Sequence, residues 1–129
     1  MRTKAPRFTK EELQRVSEGF EGGAPEAVLG WALDAFGDGV ALGSSFGGAS
    51  GAVLLDMAVK LKPNVAVFYL DTDFLFEETY TNVDDARKRY GIEPIAYKSK
   101  LAPDEQARLY GEELWARDPD RCCDLRKVE

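Results

Sequence analysis

Cys122 and Cys123 are the only cysteines in 129 residues, and they are adjacent. Arg121, Arg126 and Lys127 flank them. Thiolates beside cationic side chains have their charge stabilised, which suits metal ligation or redox reactivity. A structural disulfide between neighbouring residues closes only with strain and is rare in a reducing compartment. The pair also fits two incidental thiols on a helix. There is no histidine, which removes imidazole acid–base chemistry and histidine metal ligands. A second group of residues suits anions. Gly43, Ser44, Ser45, Phe46, Gly47, Gly48, Ala49, Ser50 and Gly51 form a small-residue run with one large side chain. Glycines let backbone amides approach an anion, and the N-terminus of a following helix adds free N–H groups and the positive end of its dipole. The simplest functional reading is a cradle for phosphate or sulfate. The alternative is a tight strand-to-helix turn without a ligand, since the Walker pattern is absent. A third group, Asp71-Thr72-Asp73, ends an apolar run. Glu77, Glu78, Asp84 and Asp85 sit early in the next helix, where they complement its dipole rather than form a catalytic pair.

The elements that position these groups follow from periodicity. Val40–Gly43 reads as a strand, and Ala52, Leu55, Met57, Val59 and Leu61 recur at helical spacing up to Lys62-Pro63. Val65–Leu70 is a near-continuous apolar run, as expected for a strand covered on both faces. A helix is expected from Glu77 to Tyr90 with Gly91 as its cap, then a strand from Ile92 to Tyr97. Pro103 opens a short helix to Tyr110. Asp118-Pro119 is a cap and first helical residue for a last segment, Asp120–Glu129. Trp115 is expected in the core or at a groove. Upstream, residues 1–8 read as a basic lead. Thr9 and Glu12 have capping-box spacing for a helix to about Phe20. Pro25 starts a second helix, which Gly37 ends. Trp31, Phe36, Phe68 and Tyr90 fall at periodic apolar positions and read as core.

Strand-helix-strand-helix-strand alternation means a parallel sheet with right-handed crossovers. Ligands in such sheets bind beyond the carboxyl ends of the strands. The glycine run and Asp71–Asp73 both lie there, so they converge on one crevice.

The totals narrow the class. One domain fits this length. The chain is 44% hydrophobic and 31% charged, with a formal net charge of −6. That balance argues against non-specific binding of nucleic acid or anionic membrane. No apolar run of about 18 residues exists, so no transmembrane helix is expected. The N-terminus lacks the apolar core of a secretory signal. The expected setting is cytoplasmic.

Three blocks resemble the assimilatory adenylyl-sulfate (APS) and phosphoadenylyl-sulfate (PAPS) reductases. Ser45-Phe46-Gly47-Gly48, followed by Val53 to Ala58, is similar to the family's phosphate-loop block. Leu70-Asp71-Thr72 through Glu78-Thr79-Tyr80 is similar to its Leu-Asp-Thr…Glu-Thr-Tyr signature. Cys122-Cys123-Asp124-Leu125-Arg126-Lys127 is similar to the Cys-Cys-x-x-Arg-Lys block of the iron–sulfur branch. The match covers roughly residues 38–129 and leaves 1–37 as an N-terminal helical segment. The implied fold is a doubly wound parallel α/β sheet of the adenine-nucleotide alpha-hydrolase-like type, cut short after about three strands.

The resemblance implies reduction of APS to sulfite with release of AMP, in sulfate assimilation, with electrons from thioredoxin. In the family a C-terminal cysteine attacks the sulfate sulfur and forms a thiosulfonate, which thioredoxin resolves. Carried over by position, Ser45, Phe46, Gly47 and Gly48 contact the phosphosulfate. Leu70, through its backbone, with Asp71 and Thr72, holds the adenine end. Lys127 supplies catalytic positive charge, and Arg126 is a second substrate contact. Cys122 and Cys123 are two of the four thiolates of a [4Fe–4S] cluster. The cluster-bearing branch favours APS over PAPS. Gly47, Ser50 and Gly51 stand where the family is usually polar or acidic. Asp73-Phe74 stands where many members of the family have Gly-Arg. These residues contain no Cys-x-x-Cys pair and no third cysteine. The implication is the N-terminal portion of such a reductase, inactive alone. Three further readings stand beside it. An ATP pyrophosphatase shares this class of site, although Ser45-Phe46-Gly47-Gly48-Ala49-Ser50 lacks that class's aspartate. A non-catalytic nucleotide-binding remnant is another. A homo-oligomer pooling four thiolates from two chains is the third.

Overall fold

The computed structural model describes residues 6–129, so part of the expected basic lead lies outside the described residues. Helix α1 (Lys10–Phe20) starts with the expected capping box. The Glu12 N–H is donated to Thr9 Oγ1 at 3.1 Å, and the Thr9 N–H to Glu12 Oε2 at 2.7 Å. Helix α2 (Pro25–Phe36) has Pro25 in its first turn and stops at Gly37, whose φ of 52° suits a residue without Cβ. Phe20 of α1 meets Trp31 of α2 edge to face, and Phe8 and Phe36 complete the cluster, with centroids 5.5–6.3 Å apart. Trp31 and Phe36 remain partly exposed, so this is a satellite cluster and not the main core.

The sheet follows: β1 (Ala41–Gly43), α3 (Ala49–Leu61), β2 (Ala66–Asp71), α4 (Glu77–Tyr90) and β3 (Ile95–Lys98). The strands are parallel in the order β1-β2-β3, with Gly43 opposite Phe68 and Leu70 opposite Tyr97. The third strand starts later than expected. Pro94 has no N–H for the ladder, so pairing begins at Ile95 while Ile92 packs in the core. Two crossovers of the same hand, between strands in sequential order, put both helices on one face. Leu55, Ala58 and Val59 of α3 accordingly share one core with Val83 and Ala86 of α4 and with Val67 and Tyr69 of β2. The Tyr90 hydroxyl, donated to Asp56 Oδ1 at 2.9 Å, ties α4 to α3.

The expectation that β2 is covered on both faces is corrected. Its residues alternate strictly: Val67, Tyr69 and Asp71 are buried, while Ala66, Phe68 and Leu70 are not. Leu70, Ile95 and Tyr97 on the second face are 41, 52 and 55% exposed. The three strands therefore show the fold wound in one direction only, over one covered face. On the open face the Phe68 ring packs against Tyr97, with centroids 5.8 Å apart, and lies over Gly43. A Cβ at Gly43 would meet Phe68 Cζ at 2.9 Å, so a larger residue there would turn the Phe68 ring aside.

Beyond β3 come α5 (Pro103–Tyr110), α6 (Leu114–Arg117) and α7 (Pro119–Cys123), which runs into one π-helical turn, Asp124–Val128. Asp118 caps α7 as expected, accepting the Arg121 N–H at 3.1 Å. Leu101, Leu114, Cys122 and Leu125 form a second small core. Trp115 is 55% exposed and lines a groove.

Candidate nucleotide and thiolate site

The carboxyl edge of β1 and β2 carries two neighbouring loops. The Ser44 N–H still follows the ladder, donated to the Phe68 carbonyl at 3.0 Å. In a parallel ladder the next bond on that side would run from the Phe46 N–H to the Leu70 carbonyl. The Phe46 N–H is donated instead to Ser44 Oγ at 3.2 Å. The loop thus leaves the sheet one residue early, and the Leu70 peptide faces the gap with its β1 partner gone. Ser45 Oγ accepts the Gly47 N–H at 3.3 Å and keeps its own O–H as a donor. Two of the expected anion-facing amides, Phe46 and Gly47, are therefore taken up locally. The remaining donors are those of Gly48 and the first turn of α3, which no side chain caps.

Phe46 departs from the substrate contact expected of it. Its ring is 8% exposed, edge-on to Tyr69 with centroids 5.6 Å apart. Its φ is 54°, and its carbonyl accepts Asn82 Nδ2 at 2.9 Å. It anchors the loop to the core and leaves Ser45, Gly47 and Gly48 exposed.

Asp71, Thr72 and Asp73 form a bonded turn. Asp71 Oδ1 accepts the Asp73 N–H at 3.0 Å and the Tyr80 hydroxyl at 2.7 Å. Thr72 Oγ1 accepts the Phe74 N–H at 3.3 Å. Asp73 has φ 63° and sits between two cations, Lys98 at 2.9 Å and Arg126 at 2.8 Å. Burial alone would raise the Asp71 pKa. The Tyr80 hydroxyl, the Asp73 N–H and the Lys98 ammonium outweigh it and hold Asp71 below the usual carboxylate range. The same hydrogen bond pushes Tyr80 up to about 12.

Linkage sets the sign of each effect. Asp71, with its folded pKa depressed, contributes stability that is present above its unfolded pKa of about 3.9 and is lost as pH falls through the lower folded value. Tyr80, with its folded pKa raised, contributes stability below about pH 10 that is lost as pH rises through about 12. Tyr80→Phe removes the hydroxyl from both limbs. The expected result is a lower melting temperature at pH 7 and a shallower decline between pH 4 and pH 2 than in the unsubstituted chain. Calorimetric melting across pH checks it, and superimposable curves would contradict the assignment.

Arg126 also departs from expectation. Its side chain is 2% exposed. Nε reaches the Thr72 carbonyl at 2.9 Å, Nη1 the Leu101 carbonyl at 2.6 Å and Gln106 Oε1 at 3.4 Å, and Nη2 reaches Asp73. Cζ lies 5.6 Å from the Phe74 ring centroid. The π turn points Arg126 inward as a strut between the last segment and the β2 loop, and leaves Lys127 exposed. A cavity of about 670 Å³ brings together Thr72, Phe74, Trp115, Cys122, Cys123 and Lys127. Cys122 is buried and Cys123 exposed, both as free thiols. Ser45, Leu70 and Asp71 do not line it.

The sequence reading missed Tyr80 as the partner of Asp71, Lys98 as the partner of Asp73, and Gln106, which is 3% exposed and donates to Cys122 Sγ at 3.5 Å. Only Gln106 left a trace in the sequence, as a polar residue among the inward positions of α5.

A parallel sheet with a glycine loop and a vicinal cysteine pair toward its carboxyl edge is an α/β arrangement of the kind that takes ligands beyond its strand ends. This chain belongs to the phosphoadenosine phosphosulfate reductase domain family, which matches residues 40–129. Among relatives, the adenosine 5'-phosphosulfate reductase of Salinibacter ruber is 45% identical over 122 residues, 95% of this chain and 48% of the relative. Adenosine 5'-phosphosulfate reductase 1 of Bacillus subtilis is 41% identical over 103 residues, 79% of this chain and 44% of the relative. The crystal structure of phosphoadenylyl-sulfate (PAPS) reductase from Candida auris, in a phosphate complex, superposes with a TM-score of 0.82 at 28% identity. It covers 97% of this chain and 61% of that one. The chain spans about half the length of the curated relatives it matches.

Proposed function

We propose that this chain supplies the nucleotide-binding half of a thioredoxin-dependent adenylyl-sulfate reductase of sulfate assimilation, working in the cytoplasm. The observation that carries the reading is the Leu70 peptide, left without its ladder partner beside the Ser44–Gly48 loop. A base edge needs one in-plane donor or acceptor, and an adjoining phosphosulfate needs N–H and O–H donors. The two sets of groups lie at the carboxyl ends of the paired strands β1 and β2. In this division residues 1–37 are an N-terminal helical segment, and 38–129 the N-terminal part of the reductase domain.

Ser45 donates its hydroxyl to the phosphosulfate, with the Gly48 amide and the first turn of α3 behind it. The Leu70 backbone orients adenine. Asp71 and Thr72 fix the turn that presents it. Lys127, exposed at the cavity, offers its ammonium to the negative charge of the sulfate as the S–O bond to AMP breaks. The attacking thiolate, from a cysteine outside these 129 residues, takes the sulfur and AMP leaves with the electron pair. Thioredoxin dithiol then reduces the thiosulfonate, releasing sulfite and ending as a disulfide.

Cys122 and Cys123 fit one half of a four-cysteine [4Fe–4S] site. They are vicinal thiols, one buried beside an N–H donor and one facing the cavity. Among the described residues no group of three or more metal-ligating side chains gathers, so the other two thiolates come from elsewhere, whether further chain or a second copy. When bound, the cluster would supply metal-centred positive charge to the site. With two cysteines in all, the chain by itself is expected to yield no sulfite from APS and thioredoxin.

The test is anaerobic calorimetric titration of AMP, APS and PAPS. APS and AMP are expected to bind, and APS more tightly than PAPS. A folded chain that binds none of them would contradict the reading. Preference for PAPS would retain the crevice and reassign the substrate.

A further inference from the structure

Gln106 lies in α5, on neither of the site's loops, yet it is 3% exposed and in contact with both the strut and a cysteine. Its Oε1 accepts from Arg126 Nη1 at 3.4 Å, and its Nε2 donates to Cys122 Sγ at 3.5 Å. An arginine has only donors. The amide oxygen must therefore face Arg126, and the amide cannot flip without setting N–H against N–H. Arg126 is itself fixed by the Thr72 and Leu101 carbonyls and by Asp73. The amide nitrogen is thereby turned to the Cys122 sulfur, to which it donates one of its two N–H groups. Apolar Leu114, Leu125 and Leu101 make up the rest of that sulfur's small core, where a charged ligand without a donor is costly.

We propose that Gln106 is a positioning residue for the thiolate pair: its amide, oriented by Arg126, donates to the Cys122 sulfur and presets it as a metal ligand. This rests on the reading of Cys122 and Cys123 as ligands. It goes further by linking a ligating sulfur, through Gln106 and Arg126, to the Thr72 carbonyl at the end of β2. Metal ligands held by such outer hydrogen bonds lose affinity about 10–100-fold when the partner is removed.

The probe is Co²⁺ added to the reduced, anaerobic chain, read through its sulfur-to-cobalt charge-transfer band. An N–H donor lowers the energy of the sulfur lone pairs, so its loss moves that band to longer wavelength. Gln106→Met is expected to shift the band that way and to weaken Co²⁺ about tenfold or more, with the circular dichroism of the folded chain retained. Should Gln106→Met fail to fold, Gln106→Glu keeps an oxygen for Arg126 while removing the N–H, and is read by the same band. An unchanged band and affinity in a folded variant would overturn the role of Gln106 alone. Absence of any band, or a band that survives the double variant Cys122→Ser with Cys123→Ser, would overturn the thiolate reading and this inference with it.

Discussion

Arg126→Ala is expected to destabilise the chain by about 3 kcal/mol or more, the range for removing one partner from a buried ion pair. Removing the guanidinium strips donors from the Thr72 and Leu101 carbonyls and from Gln106 Oε1, and takes one of two cations from Asp73. Asp73 is a quarter exposed and keeps Lys98, so most of the cost falls on the carbonyls and on the cavity. Arg126→Lys preserves charge, but a single ammonium cannot span acceptors set around a planar fork, so it is expected to recover less than half of the loss. Urea denaturation measures both. Hydrogen exchange adds the location: protection is expected to fall at Thr72–Phe74 and 119–128 while α3 and α4 keep theirs. A cost below about 1 kcal/mol, the level of an exposed pair, would contradict the strut.

Phe46→Ala is expected to cost about 3–4 kcal/mol, typical of emptying a buried phenyl site. Its φ of 54° gives a sharper sign test against Phe46→Gly. Left-handed backbone costs a non-glycine residue about 1 kcal/mol or more, which the buried ring offsets here. Glycine loses the same ring but has no such backbone penalty. The glycine variant is therefore expected to be at least as stable as the alanine variant, the reverse of the order in a helix or strand interior. Both should weaken AMP and APS binding, because the loop loses its attachment to Tyr69. Equilibrium unfolding and calorimetry check both points. Alanine clearly more stable than glycine would show that the left-handed backbone carries no such penalty.

Much of the scaffold was legible because local rules dominate there. The Thr9–Glu12 box, Pro25 and Gly37, the full span of α4 and the span of α5 all follow from capping and periodicity. The nearness of the glycine loop to Leu70–Asp73 followed from parallel topology. What escaped depends on packing. An apolar strand sequence does not say whether a second layer lies on it, so the exposure of Leu70 was hidden in the β2 run and that of Ile95 and Tyr97 in β3. Phe46 and Arg126 looked like ligand contacts from their motifs. Only the tertiary fold could show that one fills the core and the other braces the β2 loop across 54 positions. Tyr80 was silent and Gln106 left only its polarity at an inward position of α5, because their partners lie on other elements.

The most direct measurement is amide chemical-shift mapping of the ¹⁵N-labelled, reduced chain as AMP and then APS are added. Shifts are expected at Ser44–Gly48, at Leu70–Asp73 and in the first turn of α3, with APS alone adding a response at Lys127. Shifts confined to α1 and α2, or to the apolar face of Ile95 and Tyr97, would contradict a nucleotide crevice at the carboxyl ends of β1 and β2. So would no shifts at all in a folded chain.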